Sequence, residues 1–147
     1  MKIENHLQTK LQKAVNNLCL AITYVTLGLW KLADEQEKPA IETMTAAIIV
    51  NALDDGTMLE KDGFVKDGEK LLLAATQKKW RITKKRIESL QDLPENCIAA
   101  VNYQYYDKNH WVGVINREVV YNSLEFSNCF AYGKPVDARI ISLIKGE

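Results

Sequence analysis

Apolar residues recur at helical spacing through the start of the chain, at positions 7, 11, 14, 15, 18, 22, 25 and 29. Residues three or four apart share one face of a helix, so this spacing predicts helix rather than strand. Asn16 and Asn17 interrupt the pattern, and an asparagine can cap a helix by accepting hydrogen bonds from its free backbone N–H groups. We therefore predict one helix over 3–15 and another over 17–33, with a single continuous helix as the alternative.

Two further helices are marked by the residues at their ends. Pro39 suits a first helical turn, where its missing N–H costs nothing, and the sequence Asp54-Asp55-Gly56 suits a helix end. This predicts a helix over 39–53. A turn-rich segment over 58–68 then separates it from a short helix over 69–76 that contains three consecutive leucines.

Beyond residue 78 the pattern changes to short runs of β-branched and aromatic residues between turn-forming residues. It predicts strands over 79–83, 97–105, 110–115, 118–121 and 138–144, with turns over 92–96 and 133–135. Asn116 and Arg117 are predicted to form a hairpin turn. Helices followed by an antiparallel meander indicate an α+β fold, with N-terminal helices packed on a curved C-terminal antiparallel sheet in one compact domain spanning 1–147.

Charge argues against two classes of partner. Lysine plus arginine and aspartate plus glutamate each number 19. This balance removes the usual electrostatic case for nucleic acid or for an acidic membrane surface. A local basic cluster interrupts the balance, and we interpret it as a solvated strand and turn, with nucleic-acid contact as the alternative. Its members are Lys78, Lys79, Arg81, Lys84, Lys85 and Arg86.

The cysteines indicate a reducing compartment. The chain has three, Cys19, Cys97 and Cys129, far apart in sequence and without the close pairing of a zinc site. The first residues lead into a polar amphipathic run rather than an apolar signal sequence, and no stretch is long and apolar enough to span a bilayer. We therefore expect a cytoplasmic protein with reduced thiols and no metal or organic cofactor.

Cys19 and His110 are the residues best placed for chemistry. A thiol attacks as its thiolate, which a helix N-terminus and a nearby imidazole both favour. Cys19 lies near a predicted helix start, and His110 begins a predicted strand. Cys19 is also a candidate core residue, because free cysteine is among the most buried residue types, and His110 is a candidate strand-end residue. Cys129 is a second candidate nucleophile.

A third group would have to orient the imidazole, and the register of the hairpin decides which residue is available. With a two-residue loop, Ile115 pairs with Glu118 and His110 faces Ser123. With a three-residue loop, the pairing moves by one and His110 faces Asn122. We choose Asn122, and Ser123 or no partner remains open.

The order Cys19, His110, Asn122 resembles that of the papain-like cysteine peptidase superfamily, particularly its compact bacterial branches. The segment over 110–114, His-Trp-Val-Gly-Val, is similar to the strand that carries the family histidine, and the segment over 120–124 to the strand that carries the orienting Asp or Asn. The layout also resembles a small family carried on bacterial plasmids and phages. There a cysteine helix, a Gly-Phe-Val-x-Asp segment (here 63–67) and a C-terminal Gly-Lys-Pro (here 133–135) occur together.

This resemblance implies a thiol-dependent peptidase or amidase that acts on a peptide or protein. Cys19 would be the nucleophile, His110 the base and then the acid, and Asn122 the orienting residue. The pair would face each other across one groove, and the oxyanion-hole donor would be Gln12, Gln8 or neither of them. The family has glycine before the nucleophile, and this chain has Leu18 there. That departure favours an alternative, an inactive relative that binds a peptide or protein, and a purely structural or regulatory protein is the third hypothesis.

Overall fold

The computed structural model describes residues 18–103, 110–122 and 133–145. In this part of the chain three α-helices precede the strands of one antiparallel sheet, so the fold is α+β, as predicted. The helices are α1 (Cys19–Leu32), α2 (Ile41–Asp55) and α3 (Gly68–Thr76). The strands are β1 (Trp80–Arg86), β2 (Cys97–Tyr103), β3 (His110–Ile115), β4 (Glu118–Asn122) and β5 (Gly133–Leu143). The helix predicted over 3–15, and with it the choice between one helix and two, lies outside the described residues.

The ends of α2 follow the residues that the sequence analysis singled out, whereas the N-cap of α1 is Leu18, without a side-chain hydrogen bond, and not the predicted asparagine. Pro39 lies in a 3-10 turn (Lys38–Ala40) that leads into α2. Gly56 ends α2 in the left-handed conformation, with φ of 77°, and its N–H donates to the carbonyl of Ala52. Asp67 caps α3, because its carboxylate accepts from the backbone N–H of Lys70 at 3.0 Å. These local signals explain why the predicted helix boundaries lie close to the observed ones.

The strands lie in the order β1-β5-β2-β3-β4, and each neighbouring pair is antiparallel. The last strand of the chain is therefore inserted between β1 and β2. The turn predicted over 133–135 is wrong, because these residues open β5 and pair with β2. Pro135 is tolerated there because it lies beside a register shift between Ala100 and Val101, where the regular ladder is interrupted.

The sheet separates two buried clusters of side chains. One face packs against the helices and includes Trp80, Ile98, Tyr121 and Ile141. The opposite face carries a second cluster, formed by Ile87, Leu93, Cys97, Ala99, Val101, Val112, Val114 and Ala138. Successive residues of a strand point to opposite faces, so the parity of a position decides which cluster it joins.

Helix α1 packs against β3 and α3 through glycines. At Gly28 an added Cβ would lie 2.7 Å from Cδ2 of Leu72, and at Gly113 it would lie 3.1 Å from Cδ1 of Leu27. At Gly68 it would lie 3.1 Å from the Tyr24 ring. Tyr24 thus meets the start of α3 and Gly28 meets the next turn of α3, so α1 and α3 run parallel and both begin at the same end of the sheet.

Candidate functional site

Cys19 is the first residue of α1, and its thiol is buried against strand β3. Its side chain is 7% exposed. Burial raises the pKa of the thiol above its ordinary value, although backbone hydrogen bonds from Trp111, Leu20 and Cys19 itself oppose the shift. Loss of water therefore outweighs the N–H groups that would favour a thiolate. Burial therefore disfavours the thiolate that a nucleophilic cysteine needs.

The Trp111 contact places Cys19 beside the peptide bond that joins His110 to Trp111. Tyr121 lies close to the same thiol, since a charge on Cys19 would raise the tyrosine pKa. Trp111 and Tyr121 both belong to the helix-facing side of the sheet. The structure thus brings the predicted nucleophile to the start of β3, next to aromatic side chains of β3 and β4.

His110 opens β3 and is 8% exposed. Its strand neighbours of equal parity, Val112 and Val114, and its partner on β2, Val101, all belong to the second buried cluster. Strand alternation therefore places position 110 on the face opposite to the helix that carries Cys19. The pairing of the Cys19 thiol with the His110 imidazole remains a prediction, and this parity argues against it.

The hairpin between β3 and β4 begins with the two-residue loop of the first predicted register but then departs from both registers. Its loop has two residues, because Ile115 pairs with Glu118, and Asn116 and Arg117 have φ of 53° and 64°. A register shift between Gly113 and Val114 then moves the pairing by one, so that Asn122 pairs with Val112. Position 122 consequently shares a face with positions 112 and 110. The predicted direct pairing of His110 with Asn122 is therefore wrong, because Asn122 lies opposite Val112.

A polar cluster that the sequence analysis did not identify lies on the helix-facing side. Arg139 of β5 has its guanidinium carbon 5.1 Å from the centre of the Trp111 ring, and its Nη2 is 3.7 Å from Oδ2 of Asp137. Burial raises the pKa of Tyr24 to about 12, and the charge of Arg139 acts to lower it. Only the insertion of β5 beside β2 brings Arg139 near Trp111, so spacing along the chain gave no signal of this cluster.

Several predicted candidates cannot be placed. Gln8, Gln12, Ser123 and Cys129 lie outside the described residues. Cys97 is buried in the second cluster, and its thiol donates to the carbonyl of Pro94 at 3.7 Å. Within the described ranges no group of three or more His, Cys, Asp or Glu residues is arranged to hold a metal ion, and no helix has the length and apolar character needed to cross a membrane.

No family model matches the chain, and no curated protein or solved structure matches it either.

Proposed function

We propose that this protein is a non-catalytic binding domain of papain-like plan that recognises a peptide or protein, rather than a working thiol hydrolase. The observation that carries the proposal is the state of Cys19. Its thiol is buried, and this burial raises the pKa of the thiol. The backbone N–H groups that act to lower the pKa do not offset the burial. A nucleophilic cysteine has the opposite character, with a lowered pKa and access to solvent.

The sheet supports the same proposal. Position 110 shares its face with Val112 and Val114, whereas α1 packs on the other face through Leu27 and Gly113. Leu18 is fully buried at the point where a glycine would let the backbone turn into the helix. These contacts support a Cys19 thiol that is packed in the core rather than exposed in a catalytic groove.

Thiol alkylation tests this proposal. In a Cys97→Ala, Cys129→Ala background only Cys19 can react with iodoacetamide. We expect Cys19 in the folded protein to react at least about tenfold more slowly than in urea at the same pH, because burial both disfavours the thiolate and restricts access of the reagent. Rapid alkylation below pH 7 that is lost in a His110→Ala variant would overturn the proposal.

Thiol-dependent hydrolysis of an amide or peptide bond is the second candidate function. It is favoured by the position of Cys19 in the first turn of α1, where the helix dipole stabilises an anion, and by the Trp111 N–H beside the thiol. In that case Cys19 would attack, His110 would take its proton, and Asn122 would orient the ring. The alkylation experiment separates the two functions, since only the hydrolase requires a thiolate near neutral pH.

A further inference from the structure

Among the strands that the structure describes, β1 is an edge of the sheet, and one side of its backbone faces away from β5. The hydrogen bonds from Ile87 N to Val136 O and from Ile144 N to Lys79 O show that the odd-numbered residues of this segment form the backbone hydrogen bonds to β5. Even-numbered residues therefore direct their N–H and C=O groups outward. At Ile82 the outward N–H is satisfied by Oε2 of Glu69 at 2.9 Å. Beyond that point, at Lys84 and Arg86, the described residues contribute no such cap.

The same edge carries concentrated positive charge. Six of the 19 lysine and arginine residues fall within 78–86, a stretch without an acidic residue, although the chain as a whole is neutral. Arg81, Lys84, Lys85 and Arg86 are all exposed. The ion pairs found among the described residues join Lys38 to Glu35 and Arg139 to Asp137, so they leave the edge cations without an acidic partner there.

The neighbouring strand reinforces this charge. Lys84 pairs directly with Arg139, and like charges in directly opposite positions of a sheet repel each other. Asp137, opposite Arg86, is the one acidic residue of β5. An external acidic group would relieve this repulsion. Pairing with a second copy of β1 would instead bring like charges together, and charged edges are known to oppose such self-association.

We propose that the outer edge of β1 over 83–86 binds an extended acidic peptide, which adds a strand to the sheet. Its backbone would pair with the outward groups of Lys84 and Arg86, and its carboxylates would lie beside the cations on both faces. This inference rests on the proposed function, which is the binding of a peptide or protein. It adds the surface that binds and the chemistry of the ligand.

Fluorescence polarisation tests the proposal with a labelled peptide of about eight alternating Glu and Val residues. We expect saturable binding that Lys84→Glu with Arg86→Glu weakens at least about tenfold, because repulsion replaces attraction. Lys61→Glu is the control, since Lys61 is exposed in the turn over 60–63 and does not belong to β1. It should leave the affinity nearly unchanged. Circular dichroism verifies that each variant is folded.

Proline substitution separates strand pairing from simple charge attraction. Lys84→Pro removes an outward N–H without removing a bond to β5, and an edge strand tolerates proline at such a position. Lys84→Ala removes the charge and keeps the N–H. Strand addition predicts that Lys84→Pro weakens binding further than Lys84→Ala does. Equal affinities of these two folded variants would overturn strand pairing.

Two other probes test whether the edge binds any polyanion rather than an extended peptide. A Glu–Val peptide that is N-methylated at every residue has the same charge but no backbone N–H groups for a ladder, and a single-stranded oligonucleotide of equal charge has no peptide backbone. The proposal predicts that both bind more weakly than the Glu–Val peptide. Equal binding by all three would show a general polyanion surface, and absence of binding would show a charged edge that only prevents aggregation; either result overturns the proposal. Both leave the alkylation result for Cys19 unaffected.

Discussion

At position 19 a single thiol lies where a helix dipole favours an anion and where burial opposes one. The backbone N–H groups of Trp111, Leu20 and Cys19 all act towards ionisation, yet the pKa is raised. Desolvation thus dominates, as it does for buried acids in general. Residue type and helix position, which the sequence supplies, gave the expectation of a nucleophile. Burial, which the sequence does not supply, decides the protonation state.

Substitution of Cys19 should reveal a core residue. We expect Cys19→Ser to lower the free energy of unfolding by about 1–3 kcal/mol, because a hydroxyl loses more on desolvation than a thiol does. Cys19→Ala, which adds no polar group, should cost less. Urea denaturation followed by circular dichroism measures both values. Unchanged stability in Cys19→Ser, combined with loss of a measured hydrolytic activity, would instead support a catalytic thiol.

The buried thiol of Cys97 makes the free energy of unfolding depend on pH in the alkaline range. Burial raises the pKa of Cys97 from its ordinary 9.0 to about 11, against the opposing charge of Lys85. The folded state therefore holds this proton more tightly than the unfolded chain does. The stabilisation is fully present below pH 9 and is lost as the pH rises towards 11. In Cys97→Ala this loss, up to about 2 kcal/mol, should disappear. Urea denaturation midpoints of the wild type and of Cys97→Ala at pH 8 and pH 10.5 measure this difference. Identical pH profiles of the two proteins would contradict the prediction.

Single elements followed the local pattern of the sequence closely. The observed α3, β3 and β4 begin or end within a residue or two of the predicted ranges, because caps, turn residues and alternation act over a few positions. The strand predicted over 79–83 extends to Arg86, and the largest departure is the stretch over 133–135. Glycine and proline there favour a turn locally, and pairing with β2 overrides that preference.

Two helix C-termini provide a matched test of backbone strain. Gly56 and Gln77 both adopt the left-handed conformation at the ends of α2 and α3, with φ of 77° and 58°. Glycine enters this region without the steric cost that a Cβ brings. We expect Gly56→Ala to destabilise the protein by about 1 kcal/mol and Gln77→Gly to stabilise it by a similar amount. Thermal unfolding measures both, and changes of the same sign would contradict the explanation.

On the scale of the whole molecule, one sheet lies between two buried clusters of side chains and contributes residues to both. Ile98 and Val101 are both fully buried on β2 and belong to different clusters. Because they lie on the same strand, neither face can lose its packing without affecting the other. The prediction of a single domain over 1–147 requires that the two faces unfold together.

Ile98→Ala and Val101→Ala test that cooperation. We expect each to lower the free energy of unfolding by about 2–4 kcal/mol, in line with other large-to-small changes in cores. Each variant should still unfold in one transition, with the same midpoint by tryptophan fluorescence and by circular dichroism. Separate transitions by the two probes in either variant would show that the clusters are independent units.

The sequence by itself determined the α+β class, the positions of three helices and the approximate extent of four of the five strands, because periodicity, caps and turns are properties of neighbouring residues. It also placed Cys19 at a helix start and His110 at a strand start. The tertiary structure alone decided that β5 lies between β1 and β2, that Arg139 meets Trp111, and that the Cys19 thiol is buried. It also decided, through a single bulge and the parity of β3, that positions 110 and 122 share the face away from α1. These features depend on pairing between segments distant along the chain, and a shift of one residue in such a pairing exchanges the two faces of a strand.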